Sequence, residues 1–437
     1  MNNPKLLAGL LCVVLSGSGA RSYGQQVITL DEIYRVAETN SSQLLTSYAS
    51  EQESERDVSA QRTNRLPDIK INLTAGYNGD GFTTKRNFSD YQKAPIPHLE
   101  NALGVTVSQP IYTGGAITNT IKLAELKSIA SRFATDLKRD NLRFRLTGYY
   151  LDISKNRNLR KVVESNLTAA KRVLEDMKVR HSQGIVLLND ITRYELLVSN
   201  LELEIVRIDN NITILNDNLV TLSGLPSGTI VLPDTTLLTT AISVHDADTW
   251  QHEATAISPR LKLAQSYVDI SRKSEDLVRS ELLPKIGLEA GWSINGPILT
   301  EVPPINRNLS YWYVGLGISY NLASLYKSNK SLARSKAATT VAENLLASTK
   351  EDVALDISDA FIHWKESLAE LKTYDKGVEL AMRNYRTVET RYGVGMALIT
   401  DLLDAASSRL DAEQRLENAR INIIYNYYRL LFSTGKI

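Results

Sequence analysis

Apolar residues recur along this chain with two different spacings. In one stretch they advance by three or four positions: Phe361, Trp364, Leu368, Leu371, Tyr374, Val378, Met382, Tyr385, Val388 and Tyr392. That interval is close to the 3.5 repeat of a supercoiled helix and predicts a stripe of core packing. Elsewhere they alternate. Ile69, Ile71, Leu73, Ala75 and Tyr77 oppose Lys70, Asn72, Thr74 and Gly76. Ile286, Leu288, Ala290, Trp292 and Ile294 oppose Lys285, Gly287, Glu289, Gly291 and Ser293, and Trp312, Val314, Leu316, Ile318 and Tyr320 oppose Tyr313, Gly315, Gly317 and Ser319. These are strands of roughly ten residues with one apolar face and one polar or small face.

The breakers show how far each pattern runs. No proline lies between Pro110 and Pro226, or after Pro304. Only Gly148 interrupts 116–183, and only Gly377 interrupts 318–392. Both residue types are disfavoured inside helices, so their joint absence predicts uninterrupted helices of about 100 Å at ~1.5 Å per residue. Four strands appear, at about 67–78, 99–111, 284–294 and 311–322, arranged as two separated hairpins. Their polar loops, 78–98 and 295–310, read as exposed.

The chain is written twice. LPDIKINLTAGY (66–77) matches LPKIGLEAGWSI (283–294), and LGVTVSQPIY (103–112) matches VGLGISYNLA (314–323). RHSQGIVLLNDITRY (180–194) returns 211 residues later as RYGVGMALITDLLDA (391–405). The organisation expected is two repeats, 27–226 and 240–437, joined by a linker at 223–250. In the glycine segments, Gly184 and Gly395 permit left-handed backbone, and Asn189-Asp190 and Thr400-Asp401 are read as opening the returning helices.

Residues 1–24 read as a secretory signal: Lys5, the apolar run Leu6–Leu15, then SGSGARSYG. The mature chain then starts at 25 and has no cysteine, because Cys12 lies in that run. With 50 basic and 49 acidic residues the charge is balanced, which gives no electrostatic case for nucleic acid. The five histidines, His98, His181, His245, His252 and His363, lack metal-ligand spacing, and no nucleotide loop or catalytic motif occurs, so neither enzyme, cofactor nor metal is expected.

Strands of this length and alternation suit either a soluble sheet with one face on a core or a tilted transmembrane barrel strand. Four strands cannot close around a pore, but several chains could. With SQPIYTGG (108–115) at the point where a strand enters a long helix, and RYGVGMALITDLLDA, the exported, duplicated chain resembles the TolC family of outer-membrane efflux proteins over its mature length.

The resemblance implies an α+β membrane protein: a homotrimer whose chains each give four strands to a shared twelve-stranded transmembrane β-barrel in outer-membrane lipid. Long helical hairpins would form a trimeric α-barrel through the periplasm. It implies a passive exit duct of a tripartite efflux or type I secretion system, docking with a periplasmic adaptor and an inner-membrane pump of RND or ABC type. The glycine segments become the periplasmic tips, with Gly184, Gly393, Val394 and Gly395 as adaptor-facing turns, and Pro110, Gly114 and Gly115 mark where strand enters helix. Asp401 and Asp404 share a helix face. Read from residues, they are carboxylates favoured in a helix's first turn; the resemblance makes them the pore constriction, with Tyr392, Asn189 and Asp190 as latch candidates. The chain departs from the family by carrying Ala397 where an arginine is common. The competing reading is a structural trimeric coiled coil, an adhesin-like surface protein without transport.

Overall fold

The computed structural model describes residues 26–234, 246–301 and 303–437. The segment expected to be a secretory signal, within residues 1–25, and residues 235–245 of the expected inter-repeat linker lie outside the described residues, as does residue 302. The first half runs β1 (Gln26–Ile28), α1 (Leu30–Asn40), α2 (Ser42–Arg62), β2 (Asp68–Tyr77), β3 (Gly81–Thr83), β4 (Gln92–Ala94), β5 (Leu99–Tyr112), α3 (Ala116–Ser182) and α4 (Leu188–Ser223). After β6 (Val231–Pro233) the second half runs α5 (Ala247–Ile257), α6 (Pro259–Ser280), β7 (Lys285–Gly296), β8 (Leu309–Ser319), α7 (Ser324–Gly393) and α8 (Ile399–Thr434).

The halves match element by element. α3 and α7 have 67 and 70 residues, while α4 and α8 have 36 each. Even the short helices open alike. Thr29 Oγ1 accepts the Glu32 N–H at 3.3 Å before α1, and Asp246 Oδ1 accepts the Thr249 N–H at 3.2 Å before α5. Each bond satisfies an orphan donor of a first turn. The β3–β4 hairpin, braced by stacked Phe82 and Tyr91, lies in the first half; in the second half the shorter loop holds, among its described residues, an Ile298–Ile305 bridge.

The two strand hairpins are one sheet. Its order is β2-β5-β7-β8, antiparallel throughout, so the seam between the repeats is the β5–β7 pairing. Directly opposed residues lie on one face. Ile71 faces Val105, which faces Trp292, which faces Trp312; Leu73, Leu103 and Ile294 form a second row. One sheet face is thus apolar across all four strands. On the other face a Cβ at Gly291 would meet the Tyr313 ring at 2.5 Å, so the glycine makes room for that ring. β2 and β8 are exposed along their whole length on both faces. The fourth strand ends at Ser319, short of 322. Asn321 Oδ1 accepts the Ala323 N–H at 3.1 Å and turns the chain into α7.

The strand-to-helix crossing in the first half is glycine-dependent. β5 carries a register irregularity between Pro110 and Tyr112. Gly114 and Gly115 then take φ of 64° and 86°. A Cβ on Gly114 would sit 2.6 Å from the Ser280 carbonyl oxygen, so no other residue fits.

Cores lie in the helical part. One gathers Ile28, Ile33, Leu146, Ile153, Leu219 and Ile424 around the middle of the molecule; another runs down the paired hairpins; a third sits beneath Trp250. The predicted α7 stripe is only partly covered. Tyr385 is buried, but Leu368 and Met382 remain 42% and 36% exposed. α7 packs chiefly on α6 and α8, with a smaller contact to α5. No helix among the described residues is long and apolar enough to cross a membrane.

Candidate functional site

The two helical hairpins end side by side. In the first, the Ile185 N–H donates to the Arg180 carbonyl at 3.0 Å and the Gly184 N–H to the His181 carbonyl at 2.8 Å. In the second, Met396 donates to Arg391 at 2.8 Å and Gly395 to Tyr392 at 3.1 Å. Both are six-to-one and five-to-two closures of a helix end, which need one left-handed residue. Gly184 and Gly395 supply it at φ of 77° and 76°. No heavy atom crowds either glycine, so the constraint is the backbone conformation itself.

The returning helices start one or two residues earlier than expected. Leu187 and Leu398, both extended, hold the N-cap positions of α4 and α8. Asn189-Asp190 and Thr400-Asp401 therefore lie inside the first turns. Asp401 Oδ2 accepts the Leu398 N–H at 3.0 Å, the half of a capping box that the third helical residue supplies; the Asp401 N–H donates to the Leu398 backbone carbonyl at 3.1 Å, because leucine has no side-chain acceptor. Asp401 and Asp404 are both exposed, flanking the buried Leu402 and Ala405 that face the hairpin core.

Latch candidates Tyr392 and Asp190 meet in a groove of about 650 Å³ between the tips, together with Gly393, Val394, Gly395 and Ala397. Asn189 is exposed and does not line it, nor do Asp401 and Asp404. The Tyr392 hydroxyl is buried without a hydrogen-bond partner among the described residues. Burial raises its pKa above the ordinary phenol value, Asp190 adds to the rise, and Arg180 counteracts it.

Sequence reasoning missed Arg180. Its Nη1 donates to the Gly393 carbonyl at 2.5 Å, while its Nε pairs with Asp176 at 2.8 Å. One guanidinium thus bridges from α3 to the last turn of α7 and ties the two tips. The available signal was the matched spacing: Arg180 and Arg391 each stand four residues before a tip glycine. Also missed were exposed apolar residues where turns are ordinarily polar. Ile185, Leu187 and Leu188 on one tip and Val394, Met396 and Leu398 on the other are all exposed. Above the groove, Arg409 stacks on the Tyr385 ring at 4.9 Å and pairs with Glu413 at 3.1 Å, and Glu413 accepts from Asn166 of α3 at 2.6 Å. Burial raises the Tyr385 hydroxyl to about 12, reinforced by Glu389, to which it donates at 3.1 Å.

Nothing in this groove assembles a nucleophile with a base. Its features are two aligned turns, an arginine tie and an apolar rim. The whole-chain comparisons agree with a channel. The model of the family described as outer membrane efflux protein matches residues 33–225 and 250–436. The outer membrane protein TolC of Vibrio cholerae is 23% identical over 409 residues, covering 93% of this chain and 91% of that protein. Among solved structures, CusC superposes with a TM-score of 0.79 at 13% identity, covering 93% of this chain and 92% of that one. The outer membrane protein VceC from Vibrio cholerae gives 0.76 at 15%, covering 93% and 96%. The family match spans both repeats and both tips, and the chain belongs to the outer membrane efflux protein family: it is an efflux channel of the outer membrane that extends into the periplasm.

Proposed function

We propose that three copies of this chain close into the exit duct of a tripartite efflux or type I secretion system. The observation that carries this reading is the sheet with two open edges. Among the described residues β2 and β8 lack outer partners, and the apolar face continues to both edges. In lipid an unpaired strand edge leaves backbone groups unsatisfied at several kcal/mol each, so such a sheet is stable only when closed. Pairing β8 of one copy with β2 of the next, three times over, gives a twelve-stranded barrel with the Trp312 row in lipid.

The helices then form a tunnel, and the tips face the adaptor. The exposed apolar residues of both turns suit that contact. The pump, of RND or ABC type, supplies the energy. Arg180 stands in for the arginine absent at Ala397, holding the closed state through a carbonyl rather than through a charge pair. Three Asp401 and three Asp404 carboxylates converge on the axis. At about 6–8 Å, such like charges repel by about 2–3 kcal/mol per pair at an effective dielectric near 20, so the ring attracts cations.

Two measurements test this. In mild detergent the mass should be that of a trimer; a monodisperse folded monomer overturns the assembly. In a planar bilayer the protein should conduct, and multivalent cations added at the tip side should block it. The double variant Asp401→Asn, Asp404→Asn should lose block while keeping its trimer. Undiminished block would leave the aspartates as helix-start residues only.

A further inference from the structure

Far from the tips, where α3, α7, α8 and the start of α6 converge, the chain forms a partly open cavity of about 160 Å³. Its walls are largely apolar: Leu137 and Val353 on either side, and Phe144 stacked on Phe432 at 4.7 Å with the rings 10° apart. The turn between α5 and α6 closes one end. There Gly435 lies so near Pro259 that a Cβ would sit 2.8 Å from the proline ring. Into this space projects Asp140, only 8% exposed.

The surrounding charges leave Asp140 unmatched. Arg260, which lines the cavity, pairs with Asp356 at 2.8 Å and with Asp352 at 3.3 Å. Arg429, also in the wall, pairs with Asp359 at 2.6 Å. On α3 itself Arg139 is held by Asp136 at 2.7 Å. Arg143 is held by Glu38 and donates to the Ile437 carbonyl at 3.0 Å. Each of these cations has a carboxylate partner, although the Arg143 Nε is buried without a hydrogen-bond partner among the described residues, and the α7 carboxylate Asp356 is paired as well. Asp140 alone has no hydrogen bond or ion pair among the described residues. Burying a carboxylate without a partner is costly, and a site that keeps one is set up for a cation to be brought to it.

We propose that this cavity is a binding site for a small organic cation, an amine or amidinium on an aromatic or aliphatic body, with Asp140 as its counter-ion and the Phe144–Phe432 pair as the wall against its apolar part. The cavity admits a single-ring molecule. A hydrated metal ion is disfavoured because the opposing walls offer carbon instead of oxygen ligands. The lining residues come from both repeats of one chain.

Protonation supplies an independent handle. Burial raises the Asp140 carboxyl to about 6, with Asp136 adding to the rise and Arg143 and Arg139 opposing it. A bound cation favours the carboxylate, so binding near pH 6 releases a proton, and acidification through that range removes the counter-ion.

The test is titration calorimetry on the purified full chain in detergent, with benzamidine as the probe and benzyl alcohol as its uncharged counterpart. Benzamidine should bind saturably, one per chain, and weaken at least tenfold between pH 7.5 and pH 5, where the probe itself keeps its charge. Near pH 6 the apparent heat should change with the buffer's ionisation enthalpy. Asp140→Asn should reproduce the tenfold loss at pH 7.5. Equal binding of benzyl alcohol, pH-independent affinity, or absence of saturable binding at millimolar probe overturns the proposal. The pH series uses the unaltered protein, so it decides the matter even if the variant fails to fold.

Discussion

The two tips carry the same backbone and different chemistry. Their closures share hydrogen-bond pattern and glycine angle, and Asp190 and Asp401 occupy equivalent positions. Yet Asp401 is turned back onto its own helix start, while Asp190 lines the groove and bears on Tyr392. The arginines diverge as well. Arg180 reaches across to the opposite tip, whereas Arg391 is exposed and makes no hydrogen bond or ion pair through its side chain among the described residues. Duplication preserved what the polypeptide needs in order to turn, and released the side chains for separate tasks. One tip supplies the tie, and the other supplies the surface that is tied.

The largest effect should come from breaking what the tips share. Valine at both Gly184 and Gly395 forces a β-branched residue into left-handed backbone, costing about 1–2 kcal/mol at each turn. Pump-dependent efflux should fall to near background while outer-membrane levels of the protein stay normal. Unchanged efflux in the double variant would detach these turns from partner contact.

Next in size is the arginine difference. Arg180→Ala removes a charge-assisted bond between tips, worth about 1 kcal/mol at this partly exposed site. Single-channel conductance should rise several-fold as the closed form loosens, and Arg391→Ala should leave it near the starting value. Equal effects from the two would erase the asymmetry. The smallest contrast is between the aspartates. Asp401→Asn weakens the bond that the carboxylate accepts from the Leu398 N–H and should lower thermal stability by about 0.5–1 kcal/mol. Asp190→Asn breaks no comparable bond; burial still raises the Tyr392 pKa, but the part of the rise due to the Asp190 charge is removed, and a small downward shift in that tyrosine's ultraviolet titration would register it.

What could be read from sequence was whatever depends on local rules. The long helices follow from missing proline and glycine, and the apolar strand faces from period-two alternation. The left-handed glycines follow from their place after a helical stripe. Contacts that join distant segments left no such mark. The β5–β7 seam has no turn signal, because the strands belong to different repeats. Arg180 acts only because α3 lies beside the second hairpin, and nothing in its own neighbourhood announces the Gly393 carbonyl. Leucines at the N-caps defeated the usual reading of helix starts, since Asn189-Asp190 and Thr400-Asp401 look like caps and sit two and three positions past them. Asp140 was hidden for the same reason. Its burial comes from four helices drawn from both repeats.

The short parallel pair of β1 with β6 sets an order of events. Gln26–Ile28 can find Val231–Pro233 only after the whole first repeat has arrived. The core beneath that pair also takes Ile421 and Ile424 from α8, near the other end of the chain. A polypeptide delivered N-terminus first must therefore hold its opening strand unpaired until the middle emerges, and its central core unsealed until nearly the last helix is through. A chain cut short before α8 would keep that core open to water. The girdle of the molecule therefore joins both ends of the chain, and it packs fully only once α8 is in place.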